Sequence, residues 1–228
     1  MDDATTRNLK AGWLGKVPSP VANALIDAGK FQTFSDGATI YGFGQEQNCL
    51  FGIASGHIRM WVTMNEQEPR FGHVAGPGFW FGEYEVITGQ PRVVEMAASG
   101  DTRLCMVTRS DIDRVARKHA DAWVSVALLA VMNQATAIGA ADDLMIRNAR
   151  KRLVAVLLRL SSHRNAFQGV PPVPAVPVTQ REISDAAAVS RSSAAAILAA
   201  LKRDGMIRID YKTIVVLEPE RLMALLAN

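Results

Sequence analysis

Arg191 follows Ser190 and precedes Ser192 and Ser193, at the start of a stretch that places Ala194, Ile197, Leu198 and Leu201 on one helical face. A guanidinium at the first position of a helix can hand two hydrogen bonds to the O6 and N7 of a guanine. Ser190 suits the N-cap, because its hydroxyl can accept a first-turn amide that has no partner inside the helix. Ser192 and Ser193 set further hydroxyls beside the arginine. Lys202, Arg203 and Lys212 bring positive charge of the kind that meets phosphate. The chemistry these residue types allow is contact with a nucleic acid duplex.

The elements around them must aim that arginine. Thr179 with Glu182 three residues later forms a capping-box pattern for a short helix, Gln180 to Ala187. Ala188-Val189 makes a tight turn, and Arg191 to Arg203 is the second helix, closed by Gly205. Ile207-Arg208-Ile209 and Thr213-Ile214-Val215-Val216 read as two strands around Asp210-Tyr211-Lys212. Helix, turn, helix and hairpin make a winged helix-turn-helix, in which the second helix enters the major groove with its N-terminal side chains towards base edges.

Upstream, Gly169 to Val178 contains Pro171, Pro172, Pro174 and Pro177 and is a loop or edge-strand connection. Asn148 caps a helix with Leu153, Val156, Leu157 and Leu160 on one face, ending near Arg164. A long helix precedes it, from about Asp121 to Met145. Val124, Leu128, Val131, Ala135, Ile138 and Met145 fall along it at steps of four and three, with Asp142 interrupting. That is a coiled-coil-like seam, and Ala127, Ala130, Ala137 and Ala141 beside it allow close approach of a second helix. At 1.5 Å per residue the helix is about 37 Å long, more than a domain of this size needs for its own core. The pattern points to a two-helix subunit interface. A short helix beginning at Ser110-Asp111 and ending near His119 precedes the long one. From 31 to 108 the sequence alternates short apolar runs with glycines. Thr39-Ile40-Tyr41, Leu50-Phe51-Gly52-Ile53, His57 to Val62 and Arg103 to Val107 are strands of an antiparallel sandwich or barrel.

The 228 residues carry 25 Lys and Arg against 22 Asp and Glu, a net charge of +3. That total hides a division. Residues 1–147 hold 13 basic and 16 acidic side chains, a net −3, whereas residues 148–228 hold 12 and 6, a net +6. A small basic domain calls for an anionic partner. With 49% hydrophobic and 21% charged residues, the chain has enough apolar surface to fold, which excludes disorder as its main state. Polar residues interrupt the apolar runs, so no membrane span is expected, and Met1 to Lys10 is not a secretory signal. Cys49 and Cys105 cannot make a disulfide framework, or a four-cysteine zinc or iron–sulfur site. Both are expected to pack as small hydrophobes in a reducing cytoplasm. No metal site and no Ser-His-Asp set is apparent, and His57 lacks a second histidine nearby, so catalysis is not expected.

On these residues the sequence resembles the bacterial Crp/Fnr transcription regulators. The likeness spans about 31 to 217. It is strongest at Val178-Thr-Gln-Arg-Glu-Ile-Ser, at Val189-Ser-Arg, at Ile197-Leu198, at Gly-Met-Ile from 205 to 207, and at Lys212-Thr-Ile-Val-Val216. Gly76-Pro-Gly and Phe81-Gly82-Glu83 match in the sheet-rich half. The resemblance implies an α+β fold with three parts: an N-terminal cyclic-nucleotide-binding-type β-roll (1–120), a long dimerisation helix with a hinge (121–147), and a C-terminal winged helix-turn-helix (148–228). It implies a homodimer on a two-fold symmetric double-stranded DNA site, with RNA polymerase as a further partner. Thr179, Gln180 and Ser190 stand where the family contacts phosphates.

The departures are equally specific. The family's cyclic-AMP cassette pairs glycine and glutamate for the ribose with arginine and serine for the phosphate. Gly82, Glu83 and Arg92 are present, but the serine position is Val93. The polar residues that the dimer helix offers to the purine are Ala137 and Ile138 here, and Thr136 is one residue out of phase. These losses weigh against cyclic AMP as the effector, and an ion pair of Glu83 with Arg92 would serve the fold alone. In the recognition helix Ser192 replaces an acid and Ala196 a second arginine, so the preferred DNA sequence should differ from that of the family's type member. An iron–sulfur sensor is excluded by the cysteine count, and His57 and His73 read as packing residues rather than haem ligands. Three readings stay open: a DNA-binding regulator with a degenerate effector pocket, a cyclic-AMP-responsive one with an altered pocket, and a dimeric adaptor that binds protein.

Overall fold

The computed structural model describes residues 2–63, 68–164 and 169–227; residues 1 and 228, which bound the expected domains, lie outside it. Helices α1 (Asp3–Leu9) and α2 (Ser19–Ala28), joined through a short 3-10 turn at Trp13–Lys16, come first. Strands β1 (Lys30–Phe34), β2 (Thr39–Tyr41), β3 (Cys49–Val62), β4 (Arg70–Ala75) and β5 (Trp80–Phe81) follow, then α3 (Glu83–Thr88) and β6 (Val94–Thr108). Helices α4 (Arg109–Ala116) and α5 (Ala122–Met145) lead to α6 (Ala149–Leu160). The chain ends with β7 (Ala175–Val176), α7 (Gln180–Ala186), α8 (Arg191–Arg203), β8 (Ile207–Asp210), β9 (Thr213–Val216) and α9 (Pro219–Ala227).

The N-terminal sheet runs β1-β6-β3-β4, with β2 added on β6 and β5 on β3, and its pairs are antiparallel. The two runs Leu50–Ile53 and His57–Val62, expected as separate strands, are one. Gly56 bridges them at φ +79°, where the ladder to β6 shifts register. A Cβ there would lie 2.5 Å from the Asp101 carbonyl oxygen, so only glycine fits the bulge. Tyr41, Phe51 and Phe81 pack inside the roll, the last two stacked at 5.3 Å.

Helices α1, α2 and α3 were not foreseen. Their cover of the roll depends on two tryptophans. Trp13 donates to the Ser125 carbonyl at 2.8 Å and Trp80 to the Leu9 carbonyl at 3.0 Å, tying the N-terminus to α5 and the sheet. Short helices of this kind take their stability from tertiary packing rather than from their own periodicity. Helix α4 begins at Arg109, one residue ahead of Ser110, because Thr108 is the cap, its hydroxyl accepting the Asp111 amide at 3.2 Å, and it ends at Ala116, short of His119. Helix α6 stops at Leu160, short of Arg164, and Leu153 to Leu160 are all buried. It is a central strut rather than the one-faced helix expected.

Helix α5 matches the long helix expected from the sequence. By length and composition it could cross a membrane, contrary to the expectation from its polar interruptions, which apart from Asp142 and Asp143 are uncharged. Its inner side, with Val126, Leu129 and Met132, packs on the roll. Its outer side leaves Val124, Val131 and Ile138 about 60–70% exposed and Met145 80% exposed. Asp142, which breaks the seam, pairs with Arg164 at 2.9 Å.

The sheet and C-terminal parts share a core. Phe71 and Val74 of β4 join Leu157, Val178, Ile183 and Leu198 in one buried cluster. Asp143, fully buried near the end of α5, receives Arg159 Nε at 2.7 Å and is also bound by Arg164. Removing one member of such a buried pair strands a charge, so the pair ties the end of α5 to α6 in this arrangement.

Candidate nucleic-acid interface and effector cavity

The C-terminal part positions Arg191 as its sequence implies. Thr179 Oγ1 accepts the Glu182 amide at 3.1 Å and the Glu182 carboxylate accepts the Thr179 amide at 2.7 Å, closing the capping box of α7. Ala188 turns the chain at φ +47°, and Ser184 Oγ donates to the Val189 carbonyl at 2.7 Å to fix that turn. Ser190 Oγ accepts the Ser193 amide at 3.2 Å, and its hydroxyl lies 3.2 Å from that of Ser192 and 2.9 Å from that of Ser193. The three serines form one hydroxyl cluster at the N-terminus of α8. Arg191 is exposed beside it and makes no hydrogen bond or ion pair among the described residues.

The other expected contacts lie at separate places on the C-terminal part. Gln180 is exposed, whereas the Thr179 hydroxyl is engaged with Glu182, to which it also donates at 2.8 Å. Lys202 and Arg203 are exposed at the far end of α8, about 16 Å along the axis from Arg191. They belong to a different contact region from the arginine. Lys212 sits at the hairpin tip with φ +50° and lies 5.5 Å over the ring of Tyr211, which is 87% exposed. Arg208 beside it is paired with Asp210 at 2.9 Å. Tyr211 and Arg208 were not singled out from the sequence, although an aromatic at a hairpin tip was a visible signal.

Sequence reasoning missed the contacts that orient this unit. Arg59 of β3 reaches across to α7. Its Nε lies 2.7 Å from Glu182 Oε1, and its Nη2 donates to the Pro177 carbonyl at 3.0 Å. Asp36, between β1 and β2, has its carboxyl held below the usual range, chiefly by the Gly100 amide and to a smaller degree by the charge of Lys212. Arg152 fastens the hinge, donating from Nη1 to the Ile146 carbonyl at 2.6 Å and from Nε to the Ala187 carbonyl at 2.6 Å.

A cavity of about 510 Å³ lies between the roll and α5. Gly82, Glu83, Arg92, Val93 and Ala137 line it, as expected. Ile138 does not: it faces outward, and Thr136 takes the place on the cavity wall, because α5 is rotated to bury the Leu129–Met132 side. Thr136 Oγ1 is turned back onto the Met132 carbonyl at 3.0 Å. Gly82 starts α3 at φ +100°, where a Cβ would come within 2.5 Å of the Cys49 carbonyl oxygen.

Arg92 does not pair with Glu83. Its Nη2 lies 2.6 Å from Glu85 Oε2, donates to the Cys49 carbonyl at 2.9 Å, and its guanidinium stacks 4.1 Å over Tyr41. Glu85 Oε1 in turn accepts the amides of Gln47 and Asn48 at 2.6 and 2.8 Å. Glu85 was overlooked because two acids two residues apart on a short helix look alike in sequence, and α3 itself was not expected. The Glu83 carboxyl is raised above the usual range by burial, against the hydrogen bond to Asn133. At the far end His73 Nδ1 faces Arg159 Nη1 at 3.3 Å, and burial beside that charge pushes its pKa down to about 3. The His73 ring is neutral and accepts from the guanidinium. Burial also pushes the Cys49 and Cys105 thiols up to about 12, which leaves little thiolate for chemistry.

A β-roll, a long helix and a winged helix-turn-helix that exposes an arginine at the start of its second helix define a DNA-binding transcription regulator. Residues 31–119 match the cyclic nucleotide-binding domain family, and residues 151–225 match the Crp-like helix-turn-helix domain. The chain is 27% identical over 185 residues to the cyclic AMP receptor protein of Thermus thermophilus, covering 81% of this chain and 82% of that one. The crystal structure of the Thermus thermophilus catabolite activator protein superposes with a TM-score of 0.51 at 25% identity, over 94% of this chain and 98% of the other. FixK2 from Bradyrhizobium japonicum shares the fold with a TM-score of 0.71 at 18% identity, over 86% and 96% of the two chains. The chain belongs to the Crp/Fnr family of transcription regulators.

Proposed function

We propose that the chain works as a cytoplasmic homodimer on a two-fold symmetric DNA site, recruiting or blocking RNA polymerase, and that its β-roll holds an effector pocket altered from the cyclic-AMP type. The observation that carries the DNA side is Arg191: it is exposed, unpaired among the described residues and held at a serine-capped helix start. Lys202, Arg203 and Lys212, with the amide end of α7 at Thr179 and Gln180, supply phosphate contacts around it. The exposed apolar seam of α5 supports the dimer, since a stripe of Val124, Leu128, Val131 and Ile138 costs free energy in water unless a second helix covers it. In the dimer the 148–228 units carry their basic excess to one side, and the orientation at 146–148 decides whether both Arg191 helices stand one DNA turn, about 34 Å, apart. An effector acts by binding one orientation better than the other.

The test is a salt titration of binding to DNA selected from a random pool. The expected result is a palindromic consensus and affinity that falls steeply with salt through counterion release. Absent or salt-independent binding would refute the assignment in favour of a protein-binding adaptor.

A further inference from the structure

We propose that the cavity between the roll and α5 takes an uncharged, mainly apolar organic ligand with one hydrogen-bond donor, instead of a cyclic nucleotide. This rests on reading the cavity as the effector site. Its size, about 510 Å³, is that of a small-molecule pocket. Its walls are mainly apolar, with Ile58, Met60, Phe79, Phe81, Val94 and Met96 from the roll facing Ala130, Ala137 and Ala140 of α5, between which Asn133, Gln134 and Thr136 add polar groups. The methionines let such a wall adapt to shape, and the alanines leave the room.

The charges decide against an anion. Two guanidinium groups touch the cavity, and both are already neutralised. Arg92 is held by Glu85, the Cys49 carbonyl and the Tyr41 ring, and its Nε alone is left buried without a hydrogen-bond partner. Arg159 is held by buried Asp143 and faces His73. A phosphate could take Arg92 only by stripping it from Glu85, whose other oxygen is fixed by two backbone amides and which would remain as a buried, unpaired carboxylate. Val93 then presents an isopropyl group, 54% exposed, where a hydroxyl would be needed beside the phosphate. The carboxyl that remains without a cationic partner is Glu83, and burial favours its protonated form. In either protonation state its oxygens accept a hydrogen bond from a ligand hydroxyl or N–H.

N-phenyl-1-naphthylamine is an uncharged apolar probe with one N–H. Titrated into the full chain it should give saturable fluorescence at one probe per chain and raise the melting temperature, with neither effect reduced by millimolar cyclic AMP. Ala130→Phe and Met60→Trp fill the cavity from opposite walls, and each should weaken the probe at least tenfold while the circular dichroism melt shows a folded protein. Glu85→Gln combined with Val93→Ser releases Arg92 and restores a hydroxyl, and should gain cyclic AMP binding at least tenfold over the parent. The proposal fails if cyclic AMP stabilises the parent chain and displaces the probe, or if probe binding is absent or indifferent to both filling variants. DNA affinity measured on the same samples separates the two layers. Probe binding that leaves it unchanged upholds the ligand class and removes the effector role.

Discussion

Arg59 in β3 and Glu182 in α7 are 123 positions apart in sequence and 2.7 Å apart in space. The same carboxylate that closes the Thr179 capping box is thus the anchor of the helix-turn-helix on the roll. Arg59→Ala leaves the capping box in place and removes only the tether. The expected cost is about 1.5–3 kcal/mol, the worth of a charged hydrogen bond, read in urea unfolding. Because Arg59 also holds Pro177 beside the Thr179 end of α7, cutting the tether should free that end and tighten DNA binding in the absence of effector. Fluorescence anisotropy with the selected site measures this, and an unchanged affinity would show that the pair does not restrain orientation.

Arg191→Ala should cost roughly 1–3 kcal/mol in binding the preferred site and relax the choice at one base pair per half-site. Reselection from a random pool reads the second effect directly. Lys212→Ala, by contrast, should weaken all sequences alike and flatten the salt dependence by about one unit. A variant at 191 that keeps the parent's consensus would remove Arg191 from base readout.

Val131→Asp with Ile138→Asp places charges in the exposed seam of α5. Both side chains are on the protomer surface, so the fold should survive. Sedimentation should shift from dimer to monomer, and affinity for a palindrome should fall to that of a single half-site. A dimer that persists would locate the subunit interface elsewhere.

His73 gives a pH signature. Its folded pKa of about 3 lies below the ordinary 6.5, so between these values the unfolded chain binds the proton and the folded chain does not. Its contribution to stability is complete above pH 6.5 and is lost as pH falls towards 3, with a slope of up to about 1.4 kcal/mol per pH unit. His57, also lowered by burial, acts in the same direction. His73→Gln should flatten the stability profile between about pH 4.5 and 6.5. Urea midpoints across that range check it, and a profile unchanged by the substitution would contradict a buried neutral His73.

The DNA-facing half was legible because its signals are local. Thr179, Ser190 and Gly205 mark helix ends through bonds to residues three or four positions away, and the period of Ala194, Leu198 and Leu201 names the buried face. The same holds for β2 and for the seam of α5. The N-terminal helices were not legible. Trp13 and Leu9 gain their partners at Ser125 and Trp80, more than 70 residues away, and nothing near them in sequence announces it.

By itself the sequence determined the family, the order of its parts, the division of charge and an exposed arginine at the start of α8, since caps, turns and periodicity are short-range physics. Only the tertiary structure decided which acid holds Arg92, whether Thr136 or Ile138 reaches the cavity, and that Arg59 clasps α7. Glu83 and Glu85 are equivalent as side chains. They differ in what surrounds them: Glu85 is inside, where two backbone amides and a guanidinium offset the cost of burying its charge. Such choices rest on burial and long-range pairing, which take shape only once distant segments have packed.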